Sequence, residues 1–210
     1  MSGPVALEPL DLAALLCSRV CHALISPTGA IVNGLEVLEE GDAETKTFAM
    51  DLIKKSARTA SARLQFCRIA FGAAGSAGAQ VDTGDAEKMA RGFIEDDKTK
   101  LTWSVPRALL PKNRVKLLLN MLVIAGQAIP RGGALNAEPV GQGDTMGFRV
   151  TANGLNARVP PAAASLLTGA AEGTIDAHGV QPHYTGLLAK SCGLAMAVVQ
   201  EGEAVVVTAR

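Results

Sequence analysis

The chain has 210 residues, 48% hydrophobic and 19% charged, which excludes a disordered chain and leaves room for one large or two small domains. Twenty basic residues balance twenty acidic ones, so net charge gives no basis for nucleic-acid binding. No uninterrupted apolar run reaches the roughly 20 residues a bilayer span needs, and no basic segment leads into an apolar one at the N-terminus, so neither a membrane segment nor a signal peptide is expected.

Aromatic residues make up only 3%, so the core must be built from small aliphatic side chains. The four cysteines, Cys17, Cys21, Cys67 and Cys192, form no C-x-x-C pair, as expected of a reduced, cytoplasmic protein. They read as small buried side chains, the alternative being a metal site of Cys17, Cys21 and His22.

In chain order, residues 9–40 read as one long helix, with Pro9 in its first turn. Apolar residues recur at Leu12, Leu16, Val20, Ala23, Pro27, Ala30, Ile31, Gly34 and Leu38. At ~100° per residue they form a stripe centred near ~60° from Leu12. His22 falls near ~280°, among Ser18, Ser26, Gly29, Asn33, Glu36 and Glu40. A lone histidine is most often structural, but a position at the centre of a polar face weakens a core role. Pro27 cannot donate to the carbonyl of Ala23 and should bend the helix, while the apolar phase continues through it.

Gly41-Asp42 ends this helix, and Asp42 is the N-cap candidate for a second over about 43–71. Phe48, Leu52, Ile53, Ala57, Ala60, Leu64, Cys67 and Phe71 give it a near-heptad stripe. Two long helices joined by a tight turn form an antiparallel hairpin that exposes half its stripe. A twofold-related copy would cover the rest, so a homodimeric four-helix bundle is expected. The second helix is locally basic, with Lys46, Lys54, Lys55, Arg58, Arg63 and Arg68 against Glu44 and Asp51. That face is either simply solvated or a docking surface for an acidic partner.

The small-residue stretch Gly72–Gln80 marks a boundary between residues 1–76 and 77–210. The second part mixes helices with strands: a helix Asp85–Ile94, a strand Lys100–Val105 and an apolar helix Asn113–Ile129. Strands Ala134–Val140, Thr145–Ala152 and Leu155–Val159 follow, then helices Pro161–Leu167 and His183–Cys192. A hairpin, Ala195–Val199 and Ala204–Thr208, closes the chain. This pattern predicts an α+β domain with helices on one sheet. Trp103 alternates with Leu101 and Val105 and reads as core; His178 and His183 lie near no acid or nucleophile at a recognisable spacing.

His22-x-x-x-x-Pro27 within a helical hairpin resembles the phosphoacceptor helix of sensor histidine kinases, in which the hairpin precedes an ATP-binding domain of the Bergerat (GHKL) type. The order of elements here is similar, but the kinase residues are not kept. The residue after the phosphoacceptor is usually acidic in kinases and is Ala23 here. The kinase asparagine box resembles N-x-x-x-N-A-x-K-F-T-P-x-G-G. Alignment on Pro130-Arg-Gly-Gly133 places Asn120 on its first asparagine and Ile124 on the second, which helps hold Mg²⁺ in kinases. An isoleucine offers no oxygen to a hard cation. The box V-x-D-x-G-x-G is best matched by Val150-Thr-Ala-Asn-Gly-Leu-Asn156, with Ala152 for the adenine-reading aspartate and Asn156 for the last glycine. No glycine-rich phosphate loop follows.

This combination resembles the ChpT-type histidine phosphotransferases, dimeric phosphorelay proteins with a kinase-like hairpin and a degenerate Bergerat domain; Leu15–Glu39 and Gln181–Ala209 carry the likeness. The resemblance implies that His22 takes a phosphoryl group from the receiver-domain aspartate of a hybrid histidine kinase and passes it to receiver domains of cell-cycle response regulators. It implies no ATP and no metal held by this chain, the receiver bringing its own Mg²⁺. An imidazole suits the task because at neutral pH it offers an unprotonated, nucleophilic ring nitrogen.

Small neighbours, Ser18, Ser26 and Gly29, would leave room for a receiver. Arg19 is a candidate for offsetting phosphate charge, and Lys54 and Arg58 for receiver docking. Ser26 also stands where related kinases place a residue that orients water. The competing readings are a divergent ATP-dependent kinase and a non-catalytic dimeric adaptor.

Overall fold

A computed structural model describes residues 7–72, 79–143, 146–170, 174–176 and 179–210. Helix α1 spans Pro9–Glu40 and α2 spans Ala43–Ala70, joined at Gly41-Asp42. The Asp42 carboxylate caps α2 by accepting from the Thr45 amide at 2.9 Å. Of the stripe expected on α1, Pro27 and Gly34 are buried and the other residues half-buried; Gly34 faces α2, while Leu12 and Leu16 pack with Leu166, Ile175 and Val180. At Gly34 the helices approach so closely that a Cβ would lie 2.6 Å from Ile53 Cγ1.

Of the stripe expected on α2, Leu52, Ile53, Ala60, Cys67 and Phe71 are buried or half-buried, while Phe48, Ala57 and Leu64 are exposed. Phe48 and Leu64 are 71% and 54% exposed, and the buried residues are Ala49, Ser56, Phe66, Cys67 and Ala70. Within the chain, α2 meets two partners. Its length faces α1, and its C-terminal end enters the second domain, where Phe66 stacks on Phe93 with ring centroids 3.9 Å apart. Phe66 and Ala70 therefore belong to the same core as the sheet.

Strand β1 (Gln80–Asp82) pairs antiparallel with β3 (Leu109–Pro111) around helix α3 (Thr83–Ile94) and strand β2 (Thr99–Trp103). The remaining elements are α4 (Lys112–Gln127), β4 (Gly133–Val140), β5 (Gly147–Asn153), α5 (Ala163–Thr168), α6 (Val180–Ser191), β6 (Met196–Glu201) and β7 (Ala204–Ala209). Among the described residues, five strands form one mixed sheet in the order β2-β4-β5-β7-β6, with β2 parallel to β4 and every other pair antiparallel. The domain is thus α/β with a mixed sheet. Its core is α4, buried from Val115 to Ala125, packed against β4, β5 and β7.

Residues 155–159 form no strand. The chain turns after Gly154, with Asn156 at a φ of 58°, and the Arg158 amide bonds the Ala128 carbonyl at 3.1 Å. Thr145, residues 73–78 of the boundary stretch and His178 lie outside the described residues. Trp103 is half-buried against the core and donates from Nε1 to the Val105 carbonyl at 3.1 Å.

Among the described residues, α1 is the one helix long and apolar enough by length and composition to cross a membrane, its best 18-residue stretch having a mean hydropathy of 1.4. No uninterrupted apolar run is needed for that average. It arises because α1 carries a second stripe beside the one facing α2: Leu10, Ile25, Val32 and Leu35 all lie exposed.

Candidate functional site

His22 lies exposed near the middle of α1, and no hydrogen bond or ion pair engages its imidazole among the described residues. Ser26 and Gly29 beside it are exposed and Ser18 is half-buried. A Cβ added at Gly29 would meet nothing within 4 Å, so the surface following His22 is open. Cys17 and Cys21 are exposed thiols, contrary to the expectation of buried ones; they lie on the side of α1 that neither α2 nor the sheet covers. Cys67 is the buried cysteine, and burial pushes its thiol pKa up despite the nearby Arg19 and Arg63. No three His, Cys, Asp or Glu side chains converge on a point that would hold a metal ion among the described residues.

Pro27 leaves the Ala23 carbonyl without its helical donor. Arg63 supplies one from the facing helix, its Nη1 donating to that carbonyl at 2.8 Å. In the sequence Arg63 reads as one more charge on a basic helix. The signal for its role was present: a carbonyl freed by proline needs a donor, and an antiparallel hairpin turning at Gly41-Asp42 brings the early 60s opposite the early 20s.

Arg19, one turn before His22, is half-buried and reaches α6. Its Nε donates to Gln181 Oε1 on α6 at 3.4 Å, and burial lowers its pKa from the usual guanidinium value. It lines an open cleft of about 1000 Å³ between α1, α5 and α6, with Gln127, Arg158, Ser165 and Asp176. A role beside a phosphoryl group on His22 is therefore not the one its contacts favour; the charge is committed to the junction with the second domain. Lys54 is exposed, with Asp51 3.9 Å away. Arg58 lines a different groove, about 280 Å³, with Gln65, Lys88 and Met89 between α2 and α3. The candidates thus fall into three places: Ser18, Ser26 and Gly29 with His22 on α1, Arg19 at the cleft, and Lys54 and Arg58 on α2.

The residues aligned with the kinase boxes are occupied otherwise. Asn120 is fully buried and donates to the carbonyls of Ala70 at 3.0 Å and Lys116 at 2.7 Å. Ile124 and Ala152 are buried in the core between α4 and the sheet. Lys116, one turn before Asn120, donates to the Gly72 carbonyl at 2.9 Å, a cation at the C-terminal end of α2. His183 is buried on α6, and burial, followed by the charge of Lys190, lowers its pKa.

The model of the histidine phosphotransferase C-terminal domain matches residues 83–204. Protein phosphotransferase ChpT of Brucella abortus (strain 2308) is 56% identical over 210 residues, covering 100% of both chains. A solved bacterial phosphotransferase is 54% identical and superposes with a TM-score of 0.88, covering 99% of each chain.

Proposed function

This chain belongs to the histidine phosphotransferase family, and we propose that it works in a multistep phosphorelay with His22 as the residue that carries the phosphoryl group. One observation carries the assignment: His22 offers an exposed imidazole, free of hydrogen bonds among the described residues, on an open helical face. His183 is buried instead.

The step is a displacement at phosphorus. An unprotonated ring nitrogen of His22 attacks the aspartyl phosphate of a receiver domain. The N–P bond forms as the P–O bond to the aspartate breaks, and the carboxylate leaves with the electron pair. The second transfer reverses this onto another receiver's aspartate. Such transfers depend chiefly on alignment and charge neutralisation. The receiver would supply the Mg²⁺ and acidic residues, leaving this chain to present the imidazole. Loading from a receiver rather than from ATP is favoured because Asn120 is spent on Ala70 and Gln181, while Ile124 and Ala152 point no polar group at a nucleotide.

A homodimer is supported by the second apolar stripe. Leu10, Ile25, Val32 and Leu35 on α1, with Phe48, Met50 and Leu64 on α2, leave more large apolar side chains in solvent than a lone hairpin is expected to carry. A second hairpin packed there completes a four-helix bundle. The exposed free thiols of Cys17 and Cys21 suit a reducing cytoplasm. The cleft beside α1 would widen the receiver-docking surface, and salt should weaken docking if the basic face of α2 takes part.

The test is incubation with a phosphorylated receiver domain. Acid-labile phosphate should appear on His22, vanish in His22→Ala, and be chased onto a second receiver. Labelling from ATP with no other protein present would overturn the reading in favour of a kinase. Full activity of His22→Ala in cells would overturn it in favour of an adaptor.

A further inference from the structure

We infer that Arg63 is a positioning residue for phosphoryl transfer at His22, acting through the Ala23 carbonyl. The inference rests on the phosphotransfer reading of His22.

In a regular helix the amide of residue 27 would donate to the carbonyl of residue 23. Proline has no amide hydrogen, so that acceptor is freed one residue beyond the imidazole. Sharp bends arise at proline and where a side chain or water enters the hydrogen-bond ladder. Here the gap is closed from the opposite helix by the half-buried Arg63, at 2.8 Å. A charged donor makes a shorter and stronger bond than a neutral one, and it fixes direction as well as distance.

The peptide group held in this way joins Ala23 to Leu24, and the peptide before it carries His22. Its orientation therefore sets where the Cα–Cβ bond of His22 points. In-line displacement tolerates little misplacement of the attacking nitrogen. Pro27 itself is buried.

The closing experiment measures transfer from a phosphorylated receiver domain to the full-length chain over a range of receiver concentrations. Arg63→Met should slow transfer at saturating receiver by about ten- to a hundredfold and leave the half-saturating concentration within about twofold, because positioning rather than docking is lost. Arg63→Lys should recover part of the rate.

The decisive variant is Arg63→Met combined with Pro27→Ala, which returns an amide donor to the Ala23 carbonyl and should restore most of the rate. Where Arg63→Met alone fails to fold, the double variant carries the test. Recovery of both folding and transfer supports the inference; a folded double variant as slow as the single one overturns it. Unaltered transfer by a folded Arg63→Met also overturns it, with the role of His22 intact. Absence of phosphate on His22 in the unaltered chain overturns both.

Discussion

Gln181 donates its side-chain amide to the Asn120 carboxamide oxygen at 2.6 Å, and both side chains are fully buried. With Asn120 bonded to the Ala70 carbonyl and Arg19 bonded to Gln181, a polar chain runs from the end of α2 through α4 and α6 to α1. Asn120→Ala would strand the Ala70 carbonyl and the Gln181 amide in an apolar surround. Unpaired buried groups cost about 1–3 kcal/mol each, so a loss of about 2–4 kcal/mol is expected. For a chain of this size that lowers Tm by roughly 5–15 °C in calorimetry. A melt within a degree of the parent would mean that the chain of bonds contributes nothing.

Gly34 sets the spacing of the hairpin. Propensity alone would make Gly34→Ala stabilising by about 1 kcal/mol in a helix interior. The added Cβ would meet Ile53 Cγ1 at 2.6 Å and the Ala49 carbonyl oxygen at 3.4 Å, so the packing predicts the opposite sign. We expect Gly34→Ala to destabilise by about 1–3 kcal/mol in urea titrations. Combining it with Ile53→Ala should recover part of that loss, because the clashing methylene is gone. A stabilised Gly34→Ala would show that the helices can separate freely.

The first helix was legible because its stripe keeps one phase past both of its partners, α2 and the cluster of Leu166, Ile175 and Val180. A 3.6-residue period then reports the buried face directly, and it also put His22 on the polar side. Where an element runs on into a second layer, periodicity misses what it meets there: the stripe on α2 leaves out Phe66, which stacks on Phe93. Arg19 has a partner hidden for a related reason. Its helical position lies near the face of His22, but its partner Gln181 is 162 residues away in sequence. Strands β1 and β3 have three residues each, too few for an alternation to register. Residues 155–159 do alternate, but Gly154 permits a turn that no strand survives, its Cα lying where a Cβ would meet the Gly132 carbonyl oxygen at 2.5 Å.

Phe66 joins the hairpin to the sheet domain. Its ring is fully buried and stacked on Phe93 within the core that α4 forms. Removing a buried phenyl group costs about 3–5 kcal/mol. Phe66→Ala should therefore weaken the two parts together. The single tryptophan, Trp103 in β2, reports on the sheet domain by fluorescence, while far-UV circular dichroism reports chiefly on the helices. The two signals should shift to lower urea by the same amount. Loss of helix with no change in the tryptophan signal would mean that the two parts unfold independently.

His183 predicts how stability depends on pH. It is 8% exposed on α6, and burial, with a smaller contribution from Lys190, lowers its pKa below the ordinary value of 6.5. The folded state thus keeps the ring neutral at a pH where the unfolded chain has begun to bind a proton. Because the unfolded state binds more protons, stability falls as pH drops through about 6.5 toward the folded value, by at most about 1.4 kcal/mol per pH unit for one group. Asp42, Asp82 and Asp96 accept backbone N–H bonds that hold their pKa values below the usual carboxylate range, so their contributions are lost only as pH falls below about 4. The two windows are separate. Urea midpoints measured from about pH 7.5 to about 3 should decline in the parent chain, and His183→Gln should flatten the decline near pH 6.5 while leaving that below about 4 unchanged. A slope unaffected by His183→Gln would assign the proton uptake to another group.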